Sequence, residues 1–225
     1  MENHRKLLKE NGYCNFELKE YSEEFAKYLE QFKCSPTKNM KDSFNSLRLD
    51  TNSNKTYEDG HHQKTFETFD LVKKYADEVL SEDGLRVKQF WYHKGIHEEY
   101  KNYDINEEYI RDFFRNLGRY LYDNESVDVS GVDFTYYDIG GMIESHRDAP
   151  EHYNGRLCNI LIYLNETYDD NDGGLLILND EIKVSPTFGN VVVIDLKKFN
   201  TKHEVTKVTN GMGRYALLSF IGLKD

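Results

Sequence analysis

Val127-Asp128-Val129-Ser130-Gly131-Val132-Asp133-Phe134-Thr135-Tyr136-Tyr137 marks the point where the hydrophobic period of this chain changes to two. Period two is the signature of an extended strand, whose successive side chains point to opposite faces. Short apolar runs then follow at Leu157–Leu164, Gly174–Leu178, Ile182–Val184, Val191–Leu196, Val205–Val208 and Arg214–Ile221. Turn-forming pieces separate them: Gly140-Gly141, Asp172-Gly173, Asn179-Asp180, Phe188-Gly189-Asn190 and Gly211-Met212-Gly213. Many short strands with such punctuation predict an antiparallel sandwich or barrel.

Upstream the period is helical. Phe25, Tyr28, Leu29 and Phe32 recur at helix spacing within Tyr21–Phe32, with Ser22 as N-cap and Glu23 and Glu24 in the first turn. Phe69, Val72, Ala76, Val79 and Leu80 give a second helix stopped near Gly84. Ile110, Phe113, Phe114, Leu117 and Leu121 give a third, capped by Asn106, and Leu85–His93 between them reads as a strand. Residues 35–65 lose periodicity and read as a long surface loop, a candidate lid. Helices followed by strands, without alternation, argue against doubly wound and TIM folds. The expected fold is therefore mainly β with N-terminal helices (α+β), a double-stranded β-helix or jelly roll buttressed by helices. One domain is expected over residues 1–225, with 1–125 mostly helical support and 126–225 the jelly-roll core.

Composition narrows the function. The chain has 225 residues, 38% hydrophobic and 14% aromatic, enough for a sizeable core. A net charge of -11 without a basic run disfavours nucleic acid. No apolar run approaches a membrane span, so no membrane partner is expected. Cys14, Cys34 and Cys158 form no CxxC pair, which suits a reducing, cytoplasmic setting.

The chemistry is concentrated in His146-Arg147-Asp148 and in His203. Two imidazoles and a carboxylate can cap one face of an octahedral metal and leave three positions open, the pattern of non-haem Fe(II) oxygen chemistry. Alternation turns positions i and i+2 to one side, so His146 and Asp148 can converge while His203 arrives from another strand. Arg214 opens the last strand on the face of Ala216, Leu218 and Phe220, where a guanidinium needs an anion. Asn159 and Tyr163 share a face of their own strand and can point at the same place. Read alone, Arg214 equally pairs with a structural acid and Tyr163 is equally core.

Several ordered words carry a family resemblance: His146-Arg147-Asp148, Gly155-Arg156, Ile162-Tyr163-Leu164-Asn165, Gly173-Gly174-Leu175-Leu176-Ile177, His203-Glu204-Val205 and Arg214-Tyr215-Ala216. From Tyr137 to Phe220 the chain resembles the 2-oxoglutarate/Fe(II) dioxygenases, in particular the prolyl 4-hydroxylase-like group. The resemblance implies that His146, Asp148 and His203 hold Fe(II). It implies that Arg214 and Tyr163 bind the distal carboxylate of 2-oxoglutarate, with Tyr137 beside them, and that O2 is the second co-substrate. Ascorbate is implied as an accessory reductant. Arg156 matches a family arginine near the mouth of the site. An aspartate at position 148 fills the place that related halogenases leave for halide, which implies hydroxylation. The turn at Asn210-Gly211-Met212-Gly213 is one residue longer than the family pattern, so a bulge is expected before Arg214. Phe220 stands where the animal oxygen sensors carry tryptophan.

Other histidines read as bland. His152 lies in a polar loop, His61 and His62 would face opposite ways in a solvated loop, and Gly95 weakens any helix joining His93 to His97. The acidic run at Asp169–Asp172 lacks a calcium loop's alternation and reads as a hairpin tip. Two substrate classes follow from the resemblance. One is an amino-acid residue in a peptide or protein. The other is a free amino acid or small metabolite, for which Arg48, Arg147, Arg156, Glu144 and Glu151 are the available charges. A catalytically silent binding module is the third reading, and the intact ligand set counts against it.

Overall fold

The computed structural model describes residues 2–51, 61–81, 87–100, 102–148 and 155–224. The chain runs α1 (Glu2–Asn11), β1 (Tyr13–Glu17), α2 (Leu18–Tyr21), α3 (Glu23–Leu29), β2 (Ser46–Thr51), β3 (His61–Thr65), α4 (Phe69–Leu80), β4 (Val87–Gly95) and α5 (Glu107–Tyr122). It continues with β5 (Val127–Tyr137), β6 (Met142–His146), β7 (Arg156–Tyr163), β8 (Leu176–Leu178), β9 (Ile182–Val184), β10 (Asn190–Asp195), β11 (His203–Val205) and β12 (Arg214–Leu223). The strands pair antiparallel in the order β1-β10-β7-β12-β5-β4-β6-β11-β8-β9, with β2 between β3 and β4. β4 makes the corner: residues 92–95 pair with β5, while Gln89 and Phe90 pair with β6. The result is the mostly β architecture expected, a curled antiparallel sheet with a few helices on its outside.

Local chemistry explains the helices. Ser22, Thr68 and Asn106 each accept a hydrogen bond from the backbone N–H three residues on, which caps α3, α4 and α5. α4 ends at Leu80; the stop expected near Gly84 lies outside the described residues. α5 buries Ile110, Phe113, Phe114, Leu117 and Leu121 and packs on β5 and β12. Gly118 sets how close it comes. A Cβ there would meet Val127 Cγ1 at 2.9 Å and Ile221 Cγ2 at 3.0 Å.

The sheet is buried on both faces. Tyr136, Tyr215, Leu217, Ile162 and Val193 belong to the core shared with the helices. Their neighbours Tyr137, Ala216, Leu161, Tyr163 and Val192 belong to a second core inside the curl. Alternation along β5, β7, β10 and β12 thus separates a helix-facing side from a lumen-facing side.

Four expectations need correction. Residues 35–65 are not a single loop: Ser46–Thr51 is a strand paired with both β3 and β4. Leu47 and Leu49, 1% exposed, are its only large apolar residues, too few to set a visible period. His61 and His62 lie in β3, not in a solvated loop. The first 125 residues contribute four strands besides the helices, β4 at the centre of the sheet among them. Finally, the bulge expected before Arg214 is elsewhere: Arg214 stands in register with Tyr137, and the irregularity of β12 against β5 falls between Phe220 and Ile221.

Candidate active site

Residues His146, Asp148 and His203 come together at the open end of the curl. One ligand atom from each lies within 4.8 Å of the others, and this is the His/Cys/Asp/Glu group of metal-binding geometry found among the described residues. A bulge makes it possible. β6 and β11 pair His146 with His203 and Ile143 with Val205, so three residues of one strand span two of the other. The extra residue turns both Ile143 and His146 toward the lumen, as bulges beside active sites do. Asp148 follows two residues past the end of β6, outside regular strand.

Hydrogen bonds fix the ligand atoms. His146 Nδ1 lies 2.8 Å from the Glu144 carbonyl and His203 Nδ1 lies 2.9 Å from the Thr201 carbonyl. An Nδ1–H that donates to a carbonyl leaves Nε2 with its lone pair for a metal. His146 Nε2 is 3.5 Å from Asp148 Oδ1, and Asn159 Nδ2 donates to Asp148 Oδ2 at 3.0 Å. Burial pushes the Asp148 carboxyl up, but His146, the charge of His203 and that of Arg156 outweigh it and hold it below the usual carboxylate range. Burial lowers His203, which favours the neutral, ligating imidazole. His146 is raised, because its hydrogen bond to Asp148 outweighs its burial. A set of two Nε2 atoms and one ionised carboxylate fits a divalent iron-type centre.

Deeper in the lumen Arg214 is 1% exposed. Its Nη2 donates to Tyr163 Oη at 3.0 Å, and its guanidinium lies over the Tyr137 ring at 4.8 Å and the Tyr163 ring at 4.9 Å. Arg214 Nε, buried, has no hydrogen-bond partner. A buried cation facing only phenols and holding an unused donor fits a carboxylate. Burial pushes the Tyr137 phenol up to about 12, against the pull of Arg214. Gly213 fixes where the arginine starts. Its φ is +83°, and a Cβ there would meet the Tyr137 carbonyl oxygen at 2.5 Å.

The structure therefore brings His146, Asp148 and His203 into one cluster and Arg214, Tyr163 and Tyr137 into another. Asn159, expected beside the arginine, sits on Asp148 instead. Arg156 lies with its guanidinium over the Phe220 ring at 4.0 Å. Arg147 is turned away and donates to the carbonyls of Phe199 and Asn200, and Glu144 is exposed. Glu151 and His152 lie outside the described residues. His93 and His97 are not on a helix; His93 is in β4, and its buried Nε2 has no partner. Sequence reasoning missed Trp91 and Tyr168. Trp91, the chain's single tryptophan, stacks on Tyr137 at 6.0 Å. Tyr168 acts on Arg214 and donates to the Gly173 carbonyl. Trp91 could have been found from its place between Phe90 and Tyr92, which alternation sends to the other face.

Comparison with known proteins agrees with this geometry. Residues 132–222 match the model of the 2OG-Fe(II) oxygenase superfamily. A prolyl-4-hydroxylase from Pseudomonas putida superposes with a TM-score of 0.56 at 16% identity, covering 100% of this chain and 99% of that one. A 2OG-Fe(II) oxygenase family oxidoreductase from Burkholderia pseudomallei gives 0.55 at 13%, covering 98% and 90%. A prolyl hydroxylase from Trichoplax adhaerens, in complex with a hypoxia inducible factor oxygen degradation domain peptide fragment, gives 0.54 at 15%, covering 97% and 87%. At these identities the likeness is one of fold. A search of curated protein sequences gives no match. No described helix is long and apolar enough to cross a membrane. Residues 132–222 are thus similar to the 2OG-Fe(II) oxygenase superfamily, whose members use Fe(II) and 2-oxoglutarate with O2.

Proposed function

We propose that the protein is a hydroxylase that oxidises an unactivated C–H bond of an amino-acid residue in a peptide or protein. The observation that carries this reading is the pairing of two preorganised sites in one lumen: three metal-ligating atoms within 4.8 Å and a buried guanidinium with a free donor. In this reading residues 126–225 are the catalytic core, and residues 1–125 support it within one domain.

His146, Asp148 and His203 would hold Fe(II) on one face. Arg214 and Tyr163 would grip the distal carboxylate of 2-oxoglutarate, and Tyr137 would wall its methylenes. Bound Fe(II) and 2-oxoglutarate supply the activation of O2, with one oxygen atom going to succinate as CO2 leaves and the other to the substrate C–H bond. Asn159 orients Asp148 through its donated hydrogen bond, and the carbonyls of Glu144 and Thr201 hold both imidazoles in the ligating tautomer. Leu161, Leu176, Val192, Ile194, Val205 and Ala216 make the lumen apolar, so water is kept from the reacting centre.

The peptide reading is supported by the fold shared with prolyl hydroxylases, one of which holds a peptide. A free amino acid or related small acid is the second reading, favoured by charged side chains on the lumen face, Arg48 and Arg156. Incubation with Fe(II), 2-oxoglutarate and O2 tests both. Succinate formation coupled to a gain of one oxygen by a peptide supports the first, and by a free amino acid the second. Asp148→Ala is expected to abolish product; undiminished turnover would remove Asp148 from the ligand set.

A further inference from the structure

Arg48 stands in β2 directly across from Trp91 of β4, with its guanidinium over the indole at 5.1 Å. Trp91 in turn lies almost parallel to Tyr137, with centroids 6.0 Å apart and an interplanar angle of 15°. Arg214 covers Tyr137 at 4.8 Å. An aromatic pair is thus flanked by a guanidinium at each end. The two differ in their surroundings. Arg214 is fully buried and bonded to a phenol, which suits the co-substrate. Arg48 is half-buried, and Trp91 is its contact among the described residues; it has no ion pair and no hydrogen bond there.

That isolation is notable in a chain with 40 acidic residues and a net charge of -11. Its guanidinium covers Trp91, which stacks on Tyr137, so Arg48 stands beside the co-substrate wall. A guanidinium held at the wall of an apolar lumen is unfavourable unless an anion lies against it. One carboxylate of 2-oxoglutarate belongs with Arg214 and the other with the metal, so neither serves Arg48.

We propose that Arg48 binds a carboxylate of the primary substrate, with Trp91 setting the plane of the guanidinium, so that the enzyme selects a substrate acidic close to the C–H bond it oxidises. The planar fork suits a carboxylate bidentately, and stacking on indole fixes its orientation. The proposal rests on the Fe(II)/2-oxoglutarate reading above. The carboxylate can belong to a free acid or to an acidic residue of a peptide; the recognition chemistry is the same.

Trp91 reports on the outcome, because it is the only tryptophan. Protein loaded with Mn(II) and 2-oxoglutarate is titrated with free L-amino acids against their carboxamides, and with proline-containing peptides bearing Asp or Glu against the same peptides bearing Asn or Gln. Acids are expected to shift Trp91 emission at concentrations roughly tenfold lower than their amides, about 1.4 kcal/mol of discrimination. Arg48→Gln is expected to erase that difference and Arg48→Lys to restore part of it. A response in the free-acid arm alone identifies a small-molecule substrate, and in the peptide arm alone an acidic sequence. Equal responses to acid and amide in both arms, including no response, overturn the proposal, as does discrimination that survives Arg48→Gln. Calorimetric binding of 2-oxoglutarate to each Mn(II)-loaded protein separates the cases. Its absence in the wild type would be a failure of the underlying reading, and its absence in the Gln variant alone would mark misfolding, with Arg48→Lys then deciding.

Discussion

Arg214 illustrates what a single residue can be asked to do. Taking a guanidinium out of water costs several kcal/mol, and here phenols and one hydrogen bond offset only part of that. The remainder awaits an anion. Arg214→Ala is therefore expected to weaken 2-oxoglutarate binding by about 2–5 kcal/mol, roughly 30-fold or more, with metal affinity unchanged. Arg214→Lys should fall between, since a point charge cannot copy the fork. Calorimetry with Mn(II)-loaded protein measures both, and unchanged affinity in Arg214→Ala would show that the co-substrate is held elsewhere. At this scale the sequence was legible where residue type and strand parity coincide, as for Arg214, Tyr163 and Tyr137. It was not legible for Asn159, whose partner depends on where Asp148 swings after β6 ends. Arg48 was available as a charge, but its stacking partner belongs to a strand 43 positions away that only the folded sheet brings across from it.

The element that matters most is β6. It escaped the reading from periodicity because Met142-Ile143-Glu144-Ser145-His146 shows neither clean alternation nor an apolar run. The structure explains why: the bulge against β11 breaks the period where both Ile143 and His146 must face the lumen. Removing one residue restores a regular ladder in which the histidine, now two positions after Ile143, keeps the lumen face. Deletion of Ser145 is accordingly expected to give a folded protein that retains the histidine as a ligand, with metal binding close to that of the wild type. Calorimetric titration with Mn(II), alongside circular dichroism to confirm folding, checks this. Loss of metal affinity in the folded deletion would mean that the bulge itself, and not the parity of the strand, positions the histidine. β2 escaped for the opposite reason. Its period is regular, but only Leu47 and Leu49 carry it, between polar neighbours. By contrast β7, β10 and β12 are buried on both faces, so their apolar runs stood out from the sequence alone.

At the scale of the whole molecule, the N-terminal half had to be read through non-local pairing. β1 closes one edge by pairing with β10, and β4 bends from β5 to β6, contacts that no local pattern encodes. What ties that half to the sheet is also polar. Asp138, 8% exposed at the end of β5, accepts a hydrogen bond from Tyr136 at 2.8 Å and meets Lys73 of α4 at 3.1 Å and Lys41 at 3.9 Å. Burial pushes its carboxyl up, but the Tyr136 hydroxyl and the two ammonium groups more than offset this, so its pKa lies below the ordinary value. A carboxyl depressed on folding contributes stability that is present above its unfolded pKa, about 3.9, and is lost as the pH falls through the folded value. Asp138→Asn is expected to cost about 2 kcal/mol at neutral pH, the scale of hydrogen bonds to a charged group. For a chain of this size that lowers Tm by roughly 4–8 °C. The gap between wild type and variant should begin to narrow below about pH 4 and close as the pH falls through the lower folded value, where the wild-type carboxyl also becomes neutral. Thermal unfolding followed by circular dichroism from neutral to acid pH checks it. A gap of constant size across that range would assign the stabilisation to the shape of the side chain and not to its charge, and would leave α4 attached to the sheet by its buried apolar face, Val72, Ala76 and Phe69, the last packed on Tyr92 and Tyr136.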